Sequence, residues 1–168
     1  MNSETKLMLW HLAALICCMS FVTSANAADF GDFPAEAYRG DVVEQIDLDS
    51  HPDAKTFRTR LQAALYGEER FGGHFAITYW GCGSSCQVLA IVDLRNGAVH
   101  FGPTASLGYD YRDDSDLLVV NPLENIGELN PDAPFCVDGG SPWATTSHYY
   151  VWNGNDFLLH QELNYCQN

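Results

Sequence analysis

The amino-acid sequence predicts a mainly β protein with one N-terminal α-helix, in which about six strands form an antiparallel meander within a single disulfide-braced domain. One stretch of the sequence has apolar residues at four-residue spacing, and it directly follows a helix-start signal. Alternating patterns or short apolar runs follow, separated by short turns that contain glycine. Strands with short connections are typical of antiparallel pairing, because parallel strands need long crossovers.

The first 27 residues have the features of a secretory signal peptide. Lys6 precedes an apolar run over 7–22, and Ala25-Asn26-Ala27 provides the small side chains that signal peptidase accepts. An uncleaved membrane anchor is the alternative, but the run is shorter than the roughly 20 residues that cross a bilayer. We therefore expect cleavage after Ala27, so that 28–168 forms one periplasmic or secreted domain without membrane contact.

The next segment predicts an irregular arm and then the helix. Residues 28–48 show little periodicity. Ser50-His51-Pro52-Asp53 is a helix-start signal, because Ser or Asp can cap free amides and proline is tolerated in the first turn. The pattern predicts one amphipathic helix over 52–66, ending before Gly67. Its apolar face repeats every four residues, at Phe57, Leu61 and Leu65.

Beyond Gly72-Gly73 the apolar period changes from four to two, which predicts a strand over 74–80. The glycine-rich segment 81–86 is predicted to end this strand and form a turn or loop. The nearly continuous apolar run over 88–94 predicts a central strand that is covered on both faces. In the first strand the two faces carry Phe75, Ile77 and Tyr79 on one side and His74, Ala76, Thr78 and Trp80 on the other.

Two Asn-Gly turns predict β-hairpins, because this dipeptide tolerates positive φ. Arg95-Asn96-Gly97 leads from the central strand into a return strand over 98–101. The sequence predicts three more strands, over 117–121, 147–152 and 156–163, the last two joined by Asn153-Gly154-Asn155.

Four cysteines remain after the leader, and an even number in an oxidising compartment predicts two disulfides. Three pairings are possible. The close spacing of Cys82 and Cys86 favours a bridge across a tight turn, which leaves Cys136 to pair with Cys166. The spacing is not the two-residue gap of thiol oxidoreductases, and no second Cys/His pair completes a zinc site.

The net charge of −14 excludes some partners and favours others. Every Lys and Arg lies at or before Arg112, whereas 113–168 contains nine acidic residues and no Lys or Arg. Such a surface repels nucleic-acid phosphates and anionic lipids, so neither is an expected partner. It attracts cations or a basic protein. The alternative is that the acidity only keeps the protein soluble.

One stretch of the chain resembles a known group of proteins. The segment Phe71-Gly-Gly-His-Phe-Ala-Ile-Thr-Tyr-Trp-Gly-Cys-Gly-Ser-Ser-Cys86 and the hairpin over 90–97 are similar to uncharacterised small exported bacterial proteins. In that group a Gly-His-aromatic strand leads into Trp-Gly-Cys-Gly-x-x-Cys. The group more often has Phe-Ala-Gly-His where this chain has two glycines before His74. The resemblance implies export and assigns no activity.

The glycine-rich segment is the first candidate binding site. A disulfide-closed turn presents its backbone amides rigidly, and it could form a binding edge with a neighbouring histidine and tryptophan. The alternative is that the glycines serve only the turn. No Gly-x-Ser-x-Gly elbow is present to make a nucleophile of either serine. The candidate residues are His74, Trp80, Gly81, Gly83, Ser84 and Ser85.

The acidic run 108–116 is the second candidate site. Closely spaced carboxylates could hold calcium, although the EF-hand spacing and its final glutamate are absent. The alternative is a solvated turn, and no other cofactor is expected. The histidines show no pair at metal-ligand spacing. The possible calcium ligands are Asp110, Asp113, Asp114 and Asp116, and the last three are also candidate contacts for a basic partner.

These observations favour a non-enzymatic function. No acid/base pair, nucleophile motif or cofactor loop is recognisable. We expect an inhibitor or immunity-type protein that binds a basic partner, such as a cell-wall hydrolase, by analogy with other small exported inhibitors. The alternative is a hydrolase or metal-dependent enzyme that uses His74 with the glycine-rich loop or with the Asp110–Asp116 cluster.

Overall fold

A computed structural model describes residues 26–127 and 145–167. Within them, eight strands form two antiparallel sheets of four strands each. The first sheet consists of β1 (Arg70–Phe71), β2 (Phe75–Gly83), β3 (Cys86–Asp93) and β4 (Val99–Phe101). The second consists of β5 (Tyr109–Tyr111), β6 (Leu117–Val120), β7 (Thr146–Trp152) and β8 (Phe157–Asn164). The helices are α1 (Arg58–Leu65) and α2 (Leu123–Gly127), with 3-10 turns at Phe30–Asp32 and Tyr165–Gln167.

The mainly β class and the antiparallel meander are confirmed, but the predicted number of about six strands is wrong. Each sheet is a meander in strand order. The two strands that the prediction lacks are β1, of two residues, and β5, of three. Strands this short contain too few residues to show an alternating pattern.

No helix in the described ranges is long and apolar enough to span a bilayer.

The predicted start of the helix is also wrong. The helix α1 begins at Arg58, whereas the sequence predicts a start at Pro52. The expected cap, Ser50, instead accepts a hydrogen bond from the Val99 N–H at 2.9 Å, and the segment before α1 forms separate turns. The apolar spacing nevertheless identifies the buried face, because Leu61 is fully buried.

The glycine-rich segment contains the predicted turn, but the prediction that it ends the preceding strand is wrong. The strand β2 continues to Gly83 and β3 begins at Cys86, so that only Ser84 and Ser85 turn the chain. The ladder becomes irregular only between Gly81 and Gly83. Pairing with β3 keeps Gly81 in the ladder despite the weak strand preference of glycine, whereas Gly83 has φ of 146°, which favours glycine.

The two sheets pack face to face and share a core, and β3 lies against apolar side chains on both of its faces. Leu89 and Ile91 of β3 face the second sheet. Ala90 and Val92 pack on the opposite side, with α1. The prediction of a central strand covered on both faces is therefore confirmed. The inter-sheet core also contains Phe71, Phe75, Ile77, Leu118, Val120 and Trp152.

The arm, residues 28–48, crosses both sheets. Phe30 packs on the outer face of the second sheet with Leu117, Val119 and Tyr149. The buried Ser115 hydroxyl lies 2.8 Å from the Phe30 carbonyl oxygen. Further along, the Tyr38 N–H donates to the Gly73 carbonyl at 2.7 Å. The arm thereby connects the second sheet to the β1–β2 turn of the first.

Candidate functional site

The end of the β2–β3 hairpin, residues 81–86, is called the hairpin tip below. Five consecutive residues from Gly81 to Ser85 are exposed. The predicted Cys82–Cys86 disulfide is confirmed and closes the tip, with the two Cα atoms 5.2 Å apart. The turn uses a left-handed backbone at Ser85, with φ of 50°. The tip is therefore both solvent-exposed and covalently constrained.

The second predicted disulfide involves a residue that lies outside the described ranges. Cys136 falls in the segment 128–144. Cys166 is disulfide-bonded and half-buried after β8. The pairing of Cys136 with Cys166 stays a prediction.

Two grooves flank the hairpin tip. One, of about 460 Å³, lies between the tip and the second sheet. The other, of about 500 Å³, lies along β2 and includes Tyr79, whose surface is 49% exposed. No Asp, Glu, Lys or Arg of the described residues lines either groove. The polar wall groups are the His148 imidazole and the hydroxyl or amide groups of Ser84, Ser85, Thr104, Ser106, Asn121 and Gln87.

Trp80 and His74, the other residues proposed for this site, have different positions. Trp80 is 8% exposed and belongs to the core beside α1, although its edge reaches one groove. His74 precedes β2, at the opposite end of the strand from the tip. Nine residues at about 3.3 Å each separate it from Gly83 by about 30 Å. The structure does not bring His74 to the tip.

His74 instead lines a cavity of about 380 Å³ between the arm and the β1–β2 turn. The turn depends on Gly72 and Gly73, which have φ of 56° and 74°. Gly73 is so close to the arm that an added Cβ would overlap the Glu36 carbonyl group. The glycine pair before His74 therefore serves the contact between arm and sheet. The other polar lining residues are Glu36, Tyr38, Arg39, Arg95 and Asp116.

Arg95, which lines this cavity, is paired with a buried carboxylate behind it. The Asp93 side chain is 5% exposed, and Arg95 donates to it from Nε at 2.9 Å and from Nη2 at 2.7 Å. Burial alone would raise the pKa of the Asp93 carboxyl, but the hydrogen bonds from Arg95 outweigh it and lower the pKa. Burial and the Arg95 charge lower the pKa of His74, so its imidazole is neutral at pH 7.

Asp116 occupies another part of the cavity wall. Its carboxyl is half-buried, and burial raises its pKa. One carboxylate oxygen lies near Gly72, where an added Cβ would be 3.0 Å from it. Within the described ranges, no side-chain hydrogen bond or salt bridge satisfies this carboxylate. A half-buried carboxylate without a protein partner is a feature of binding sites more than of stable cores.

The four aspartates of the acidic run do not share a site. Asp110 lies on β5, where burial and the nearby Glu124 raise its pKa. Asp113 and Asp114 are exposed, and their backbone carbonyls accept hydrogen bonds from Gly73 and the arm. Among the described residues, no group of three or more His, Cys, Asp or Glu side chains is placed to hold a metal ion.

The groove beside the second sheet borders a histidine–glutamate pair that the sequence analysis does not single out. Only His148 of the pair lines the groove, and its Nε2 lies 3.2 Å from the Glu162 Oε1 across β7 and β8. In the described part of the chain, neither Ser84 nor Ser85 forms a side-chain hydrogen bond to this histidine. The pair could orient a base, but no nucleophile is positioned against it.

Arg95 and Tyr38 are the main residues that sequence reasoning does not find. Arg95 reads as one residue of a hairpin turn, and Tyr38 belongs to an arm without periodicity. Both reach the cavity only because the arm folds back on the first sheet. The available signal is Asp93, the one acid within the apolar run 88–94, since a buried carboxylate needs a compensating partner.

The comparisons with known proteins add no assignment to this geometry. No family model, curated protein or solved structure matches the chain.

Proposed function

We propose that the protein is an exported, non-enzymatic binding protein, an inhibitor or immunity-type protein that blocks a basic partner such as a cell-wall hydrolase. The single observation that carries this proposal is the exposed, disulfide-closed hairpin tip. A short bridged turn that stands out from a packed sandwich has the shape of a ligand for a concave site on another protein.

The rigidity of the tip supports a binding role. A flexible loop loses conformational entropy when it docks, at about 0.5–1.5 kcal/mol for each side chain that becomes ordered. The Cys82–Cys86 bridge and the paired strands beneath it impose most of that order before binding. Such preorganisation slows dissociation more than it speeds association.

Charge and contact are divided between different parts of the surface. Among the described residues, the tip and its grooves contain no Asp, Glu, Lys or Arg, whereas the whole chain has a net charge of −14. The net charge would steer a basic partner towards the protein, and the neutral tip would make the close contacts. Variants at the tip should therefore change the dissociation rate, whereas variants that change the net charge should change the association rate.

We expect Ser84→Arg to raise the dissociation rate of the partner at least about tenfold, a loss of about 1.4 kcal/mol. The partner is first captured from periplasmic extract at low salt and released at high salt, and kinetics are measured by surface plasmon resonance. The matched control is Asn155→Arg, at the exposed turn of the β7–β8 hairpin. Both variants add one positive charge, so any change in steering is the same.

Equal dissociation rates for the two variants would show that the tip is not the contact surface. Neutralising Asp113 and Asp114 should slow association at low salt and leave dissociation unchanged, because their side chains are exposed and only their backbone carbonyls hold the fold. Capture that is insensitive to salt would contradict a basic partner.

The enzymatic alternative has less support from the geometry. His74 and the hairpin tip lie at opposite ends of β2, and the aspartate cluster is dispersed over β5 and the following turn. Neither of the two arrangements expected for a hydrolase or a metal-dependent enzyme is assembled within the described ranges. His74 is instead part of the cavity beside the arm, where it can contribute to binding.

Export through a cleaved leader is part of the proposal. We expect the exported protein to begin at Ala28, because Ala25-Asn26-Ala27 matches the preference of signal peptidase. Intact-mass measurement of the periplasmic fraction tests this directly. A mass that includes the leader in the soluble fraction would contradict it.

A further inference from the structure

The cavity between the arm and the β1–β2 turn contains opposite charges that are not paired with each other. Arg95 and Asp116 both line it, and they form no salt bridge within 4.0 Å. Asp116 has no side-chain partner among the described residues. Two acidic and two basic residues line the cavity, namely Glu36, Asp116, Arg39 and Arg95. Arg95 and Asp116 stand on separate elements, an arrangement that suits a molecule carrying both complementary charges.

Arg95 retains donors for a ligand although it is paired with Asp93. Its hydrogen bonds to Asp93 use Nε and Nη2, whereas a guanidinium has five N–H donors. The side chain is 49% exposed, which leaves part of the guanidinium accessible from the cavity. A carboxylate fits this donor set better than a neutral group, because charge-assisted hydrogen bonds are about twice as strong.

We propose that this cavity binds a small zwitterion, an α-amino acid or a short peptide, with its ammonium group at Asp116 and its carboxylate at Arg95. The neutral imidazole of His74 supplies a further polar contact on the same wall. The cavity volume of about 380 Å³ lies at the small end of ligand sites, which suits one or two amino-acid residues. The cavity is remote from the hairpin tip, so the inference does not rest on the proposed function.

Isothermal titration calorimetry with L-alanine and L-alanyl-L-alanine tests the inference. We expect at least one of the two zwitterions to bind. Acetylating its amine or amidating its carboxylate should weaken binding about tenfold or more, because each change removes one charge pair. The same titration with Asp116→Asn should show a comparable loss for the zwitterion.

The matched control is Asp114→Asn, an exposed carboxylate two residues away that does not line the cavity. It should bind as the unmodified protein does. The Asp116→Asn substitution is isosteric and removes a half-buried charge, so the melting temperature of the variant should not fall. An unchanged melting temperature shows that a loss of binding is not a loss of folding. Absence of binding by both zwitterions, equal binding of the blocked analogues, or equal losses in the two variants would overturn the inference.

Discussion

Replacing Gly73 with alanine is expected to lower the free energy of unfolding by roughly 3 kcal/mol or more. The residue is buried with φ of 74°, and a left-handed backbone costs a non-glycine residue about 1–3 kcal/mol. The added Cβ would also overlap the Glu36 carbonyl, so the arm would have to move away from the sheet. Urea unfolding followed by tryptophan fluorescence measures the change.

Gly154→Ala is the matched control for this experiment. Gly154 has φ of 97°, but a Cβ there would meet nothing within 4 Å. The Gly154→Ala variant should therefore lose only the free energy that a left-handed backbone costs a non-glycine residue, about 1–3 kcal/mol. If both variants lose the same stability, the close packing of the arm on the β1–β2 turn contributes nothing measurable, and the description of this contact is wrong.

Removing the tip disulfide with Cys82→Ser and Cys86→Ser is expected to weaken partner binding at least about tenfold and to lower stability by about 2 kcal/mol. The stability change follows from the chain entropy of a loop this short. The binding change follows from the lost preorganisation. The remaining hairpin should persist, because its pairing from Phe75 to Trp80 does not involve the bridge.

Hydrogen exchange separates these two effects. In the double variant, amides near the tip should exchange faster, while those of the paired residues Ile77 and Ile91 keep their protection. Unchanged affinity together with faster exchange would show that rigidity of the tip is irrelevant to binding. Loss of protection throughout the hairpin would show that the disulfide holds the strands themselves.

The elements that could be predicted are those with a repeated local pattern. The alternation along β2, the apolar run of β3 and the turns at Gly97 and Gly154 all form where the sequence indicates. The strands β1 and β5 could not be predicted, because two or three residues carry no period. They are strands only because longer neighbours provide their hydrogen bonds.

Of the candidate sites, likewise, the one built from a local stretch of sequence could be predicted and the one built by packing could not. The hairpin tip is local in sequence, so its disulfide and its glycines could be recognised from spacing alone. The cavity beside the arm combines the arm, the β1–β2 turn, a hairpin residue and the residue before β6. His74 and Asp116 were singled out separately, for different sites. They line one cavity because the β1–β2 turn hydrogen-bonds to the acidic run and the arm packs on both.

The strand order also has a consequence for how the chain folds. In both sheets, strands that neighbour each other in space are consecutive in the sequence, so pairing proceeds mainly through local contacts with a small cost of loop closure. Contacts between the two sheets and contacts of the arm are long-range, since Phe71 meets Phe157 and the Ser115 hydroxyl meets the Phe30 carbonyl across 85 positions. Docking of the arm requires both sheets to be present, and it is therefore the step that completes the native topology.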